Sequence, residues 1–125
     1  MNNSQIARTL FAALACHDVN TIESVCAPDM QTNQSQGPNM SVSTLLQFNQ
    51  AVQNVVKNFR YKNAIRSATE TGFVEEHNVR DTLPDGSKMD LAVCVVADVQ
   101  DGKIVRMREY VDSRAAAGLL KALSA

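Results

Sequence analysis

The chain is predicted to fold as one α+β domain, with its N-terminal helices packed in a strongly curved, mostly antiparallel sheet. Three observations point that way. Apolar residues recur at helical spacing through the first half, the pattern turns strand-like after Arg60, and the strand-like segments are separated by hairpin turn sequences. A length of 125 residues fits a single domain, residues 1–125, and leaves no room for a second substantial core.

Ile6, Leu10, Ala13 and Leu14 place one apolar face on a first helix from Ser4 to Ala15, with Asn3 or Ser4 as its cap. His17-Asp18 ends it. Asn20 and Glu23 have the spacing of a capping box, which starts a short helix through Ile22, Val25 and Cys26 that Pro28-Asp29 breaks. The polar stretch 30–40, with Gly37-Pro38, reads as a loop opening on at most a short strand. Ser41 or Ser43 caps the third and longest helix, whose broad stripe of Leu45, Phe48, Val52, Val55 and Phe59 demands burial against a sheet.

Four strands follow, over 60–68, 72–82, 88–99 and 103–112, bounded by Glu70-Thr71-Gly72, Pro84-Asp85-Gly86 and Asp101-Gly102. Ser113 caps a terminal helix through Leu119, Leu120 and Leu123. In the third long strand Leu91, Val93 and Val95 share one face while Ala92, Cys94 and Val96 share the other, so both faces are apolar. Helices on one side leave the other face wet, and homodimerisation through that convex face is the expected remedy.

Composition narrows the function classes. Hydrophobic residues make up 45% and charged residues 20%, as in a folded globule, and the aromatic share of 5% without tryptophan makes the core aliphatic. Twelve basic and thirteen acidic side chains leave a net charge of −1 with no block of like charge, which argues against nucleic acid or an anionic membrane as partner. The N-terminus reads as a helix and not a signal peptide, and no apolar run is long enough to span a bilayer, so a cytoplasmic location is expected. Cys16, Cys26 and Cys94 are odd in number, lack CxxC spacing and lie in apolar segments, the pattern of buried free thiols. No metal-ligand spacing and no nucleotide or hydrolase motif is present, so neither metal nor cofactor is expected.

Polar residues at strand positions carry the candidate chemistry. With Met107 and Val111 on the concave face, Glu109 points among apolar side chains. A buried carboxyl is protonated, paired with a cation such as Arg80 or Arg66, or hydrogen-bonded; the alternative is a solvated rim position. Glu76 and Asn78 share one face of the second long strand and are expected beside Glu109, where paired acids drive their proton affinities apart and Asn78 orients. His77 has the opposite parity and is expected at the interface, while His17 is explained by its place at a helix end.

The stretch Gly72 to Asp112, with LPDG at Leu83–Gly86 and DGKIVRMREYVD at Asp101–Asp112, resembles the NTF2-like superfamily, in its SnoaL-like and limonene epoxide hydrolase-like branch. The resemblance implies a cone-shaped, cystatin-like roll with a mixed sheet around a pocket. The epoxide hydrolase pattern of Arg-x-Asp on one strand and Asp on the last falls on Glu76, Asn78 and Glu109, so only the last keeps its acid. The aspartate of the SnoaL-like cyclases is matched by Glu109 or, less well by parity, Asp112. The early-strand polar residues of the family fall on Thr32 to Gln34, without a tyrosine.

A cofactor-independent isomerase, cyclase or hydrolase follows as the expectation, using acid–base chemistry on a small apolar or amphipathic molecule. Glu109, Asn78 and Glu76 are the candidate catalytic residues, and Thr32, Gln34, Phe48, Val93 and Met107 the candidate ligand contacts. The alternative is a non-catalytic ligand-binding or structural homodimer.

Overall fold

The computed structural model describes all 125 residues. Four helices and five strands follow in the order α1 (Asn3–Cys16), α2 (Val19–Val25), β1 (Cys26–Gln34), α3 (Val42–Val55), β2 (Tyr61–Ala68), β3 (Gly72–Thr82), β4 (Lys88–Gln100), β5 (Lys103–Val111) and α4 (Ser113–Leu123). The sheet order is β1-β5-β4-β3-β2, antiparallel throughout except for the parallel β1/β5 pair. This is the α+β architecture expected from the sequence.

Local chemistry sets the helix starts. Asn2 caps α1 in a full capping box with Gln5, Asp18 caps α2 through the Thr21 amide, Ser41 caps α3 through the Thr44 amide, and Asp112 caps α4 through the Arg114 amide. Ser41 is the expected cap, whereas the other three lie one or two residues before the expected ones. At α2 this displaces the Asn20/Glu23 capping box, because Asp18 already satisfies the first turn.

The expected loop over 30–40 is the largest departure. A nine-residue strand, β1, begins directly at the end of α2 and carries Pro28 within it. Proline is tolerated because β1 is the sheet edge and its register with β5 jumps between Cys26 and Gln31, so no ladder donor is needed there. Cys26 and Met30 are buried from this strand.

Helices α1, α3 and α4 pack on one face of the sheet, where Ile6, Leu10, Phe73, Met30 and Ile104 have essentially no exposure. Each such burial contributes about 1.5–3 kcal/mol. The terminal helix lies on this concave side, against β4 and α3, and leaves the convex face bare. No helix is long and apolar enough to cross a membrane. The three cysteines are free, as expected, but only Cys26 is buried; Cys16 is exposed at the end of α1 and Cys94 half-buried on the convex face. Burial pushes the Cys26 thiol up to about 11, against a smaller pull from Lys103.

Gly72 opens β3 where the chain passes closest to β4: a Cβ there would lie 1.8 Å from the Ala97 carbonyl oxygen. Gly86 sits in the LPDG turn at φ +87° with open space around it. Gly72→Ala is expected to destabilise by about 3 kcal/mol or more, because backbone must move, and Gly86→Ala by about 1 kcal/mol. Denaturant melts of both variants check this; equal losses would contradict the close approach.

Candidate functional site

Parity on β3 decides the site. Phe73, Glu75, His77 and Val79 face the helices and are buried, whereas Val74, Glu76, Asn78 and Arg80 face outward. Glu76 and Asn78 therefore do not join Glu109 in the cavity, and His77, expected at the interface, lies inside. Asn78 instead accepts a hydrogen bond from the Asn63 amide at 3.2 Å on the convex side.

That contact ties down a bulge in β2. The register advances by three residues from Lys62 to Ile65 against two on β3, and Asn63 takes the left-handed φ of 58° that asparagine tolerates. Tyr61 and Arg66 are five apart, so a regular strand would point them to opposite faces. The extra residue brings both to the inner face, opposite Val79 and Glu75 respectively.

One cross-strand row then runs Gln34–Glu109–Val95–Glu75–Arg66, touching all five strands. Glu109 and Glu75 are two strands apart, roughly 9–10 Å between Cα atoms. Above the row lies a cavity of about 110 Å³ bounded by 21 residues, 16 of them hydrophobic. Thr32, Gln34, Phe48, Val93 and Met107 all border it, and so do Tyr61, His77 and Glu109. Leu120, half exposed on α4, borders it too, which places the mouth at that helix.

Glu75 has 0% exposure and both of its oxygens are engaged. Arg66 Nε donates to Oε1 at 2.6 Å, and His77 Nδ1 lies 2.7 Å from Oε2. A carboxylate offers only lone pairs, so the proton of this second contact belongs to Nδ1. The imidazole is fixed further by Phe11, edge-on with centroids 5.0 Å apart, and by Tyr61 at 4.3 Å. Its Nε2 makes no hydrogen bond. No fully buried side-chain nitrogen or oxygen in the chain lacks a partner, so this unpartnered atom opens onto the cavity.

Glu109 makes no salt bridge; Arg66 is taken by Glu75 and Arg80 by Asp90. Burial raises its carboxyl above the ordinary 4.5, with His77 and the Gln34 amide pulling the other way. Gln34 is a near neighbour here without a hydrogen bond of regular geometry. Burial also raises the Tyr61 phenol, helped by the charges of Glu109 and Glu75. Tyr61 and Glu109, both with raised proton affinity, thus share an apolar cavity with one bare imidazole nitrogen.

His17, at the left-handed C-terminus of α1, bonds Asn49 at 2.6 Å, and Asn49 donates to the Leu14 carbonyl. Both serve as the helix end cap. No three His, Cys, Asp or Glu side chains gather as a metal site would require.

The model of the SnoaL-like domain family matches residues 7–107. No curated protein matches the chain. Among solved structures, IdmH from Streptomyces antibioticus, described as a proposed polyketide cyclase, superposes with a TM-score of 0.81 at 18% identity, over 100% of each chain. A second proposed polyketide cyclase, from Xanthomonas campestris, gives 0.79 at 18% identity over 90% of this chain and 91% of its own. A limonene epoxide hydrolase-like enzyme from Mycobacterium tuberculosis gives 0.74 at 20% identity, over 96% and 90%. At these identities the likeness establishes the fold.

Because Glu109 holds its proton more tightly folded than unfolded, the folded chain binds more protons between 4.5 and the raised value. Its contribution is fully present below about pH 4.5 and is lost as pH rises through the folded value. Glu109→Gln mimics the protonated form and is expected to raise the melting temperature at pH 8 by about 2–6 °C, at roughly 4 °C per kcal/mol. The difference shrinks towards pH 4; a gap independent of pH would contradict the buried acid.

Proposed function

The chain belongs to the SnoaL-like domain family, and from that premise we propose that it is an acid–base enzyme acting on a small, largely apolar carbonyl compound. The supporting observation is the bare Nε2 of His77, braced by Glu75, in a cavity that also holds Glu109 and Tyr61, both of which burial makes more reluctant to lose a proton.

In this reading the cavity groups take complementary tasks. His77 Nε2 takes a proton from the carbon beside the carbonyl, and Glu75 stabilises the imidazolium that results. Tyr61 and Glu109 donate hydrogen bonds to the carbonyl oxygen as it gains charge, in surroundings with little water to compete. The imidazolium then returns the proton at another carbon, giving an isomer, or the enolate closes a ring by attack on a second carbonyl, whose alkoxide oxygen takes the proton from the imidazolium. Relatives described as polyketide cyclases support this chemistry. An epoxide hydrolase-like neighbour supports a second use, in which Nε2 activates water and Glu109 protonates the opening oxygen.

The test uses 3-cyclohexen-1-one, followed by absorbance of the conjugated product, with cyclohexene oxide as the probe of hydrolysis. His77→Gln is expected to lower kcat/KM about 10²–10⁴-fold on whichever probe turns over. Unchanged kcat/KM in the variant, or binding of both probes without turnover by the wild type, would contradict the enzyme reading and favour a ligand-binding role.

A second copy of the chain is the proposed occupant of the convex face. Val74, Cys94 and Val96 lie there half-buried with Tyr110 exposed, among the ion pairs Arg80–Asp90 and Arg108–Asp98. An apolar centre flanked by both signs of charge is self-complementary under two-fold symmetry. Light scattering is expected to give a dimer at micromolar concentration and a monomer for Val96→Glu; a monomeric wild type would overturn this.

A further inference from the structure

We propose that Arg66 is a positioning residue for the cavity base: it acts through Glu75 to keep His77 neutral, with its proton on Nδ1 and Nε2 free. The inference rests on the reading of His77 as a base and adds a residue that does not border the cavity.

Glu75 is fully buried and would carry a large penalty as a lone ion. Its two oxygens divide the compensation. Arg66, directly opposite in the β2/β3 register, supplies the cation to Oε1 at 2.6 Å, while its side chain keeps 21% exposure and so brings charge in from the surface. With Oε1 neutralised in this way, Oε2 is satisfied by the N–H of a neutral imidazole.

Removing the guanidinium leaves His77 as the only partner of a buried carboxylate. The pair then lowers its energy in one of two ways: the imidazole takes a second proton and forms the ion pair, or Glu75 takes a proton and no longer dictates the tautomer. In both, Nε2 ceases to be a committed proton acceptor. Arg66 reaches this position only because of the bulge at Asn63, which aligns it with Tyr61 on the inner face. The chain thus places an extra residue in an edge strand to deliver a cation beneath its base.

Long-range ¹H–¹⁵N spectra of the histidine rings at pH 7 test the proposal without any substrate. Wild type is expected to show His77 with Nδ1 protonated and Nε2 bare. Arg66→Met is expected to lose that pattern, and Arg66→Lys, which restores the charge, to recover it. Where Arg66→Met does not fold, Arg66→Gln keeps an N–H donor towards Glu75 without the charge, and the same change in ring state is expected. A folded Arg66→Met or Arg66→Gln protein with the wild-type ring pattern overturns the proposal. On a turned-over probe, Arg66→Met lowers kcat about 10–100-fold with KM within about twofold, and Arg66→Lys recovers most of it; an unchanged kcat also overturns it. A ring pattern that responds to Arg66 in a protein that turns over no probe leaves Arg66 as proposed and removes the base reading instead.

Discussion

A carboxylate with no route to water governs the inner face of this domain. Glu75 sits on β3, one strand in from the edge of a five-stranded sheet under α1, and its two oxygens are held by partners from two strands, Arg66 on β2 and His77 on its own β3. Removing one partner of such a buried group typically costs about 3–5 kcal/mol, comparable to much of a small domain's net stability. The bulge at Asn63, the outward contact to Asn78 and the inward turn of Arg66 and Tyr61 all meet that one demand. Polar groups that a core would normally exclude are therefore kept in fixed positions.

The fold was legible because its signals are local. The turns at Asp85-Gly86 and Asp101-Gly102 demand positive φ, which both glycines adopt, and they bound strands within a residue or so of those expected. Strand β1 was hidden because its only long-range partner is the parallel neighbour β5, over seventy positions later, and Pro28 disguises it locally. Glu109 was legible through its parity with Met107 and Val111, and Thr32, Gln34, Phe48 and Val93 do border the same cavity. Glu75 and His77 were missed by one step of parity. Across 74–81 each face of β3 carries a single valine, so alternation there is undecided; including Phe73, which shares parity with Val79, tips the balance towards Glu75 and His77. Arg66 was named as a cation for a buried carboxyl, but its pairing with Glu75 was beyond reach because the bulge breaks the period on which such reading depends.

Apolar surroundings give the cavity its chemistry. Sixteen hydrophobic residues around it exclude competing water, so each polar group present has a large effect on a bound molecule. Burial raises the proton affinity of Glu109 and Tyr61, while the Glu75 contact directs the His77 proton away from the cavity. One wall donates and another accepts, with Val95 between them in the cross-strand row. Proteins described as a polyketide cyclase and as an epoxide hydrolase share this fold, and here the pair on β3 is a glutamate and a histidine.

Neutron diffraction from crystals exchanged into deuterated buffer at neutral pH locates the relevant protons in one measurement. Deuterium is expected on His77 Nδ1 along the line to Glu75, with none on Glu75 or on Nε2. Deuterium on Nε2 with a bare Nδ1 facing a protonated Glu75 would reverse the polarity of the site and refute this account.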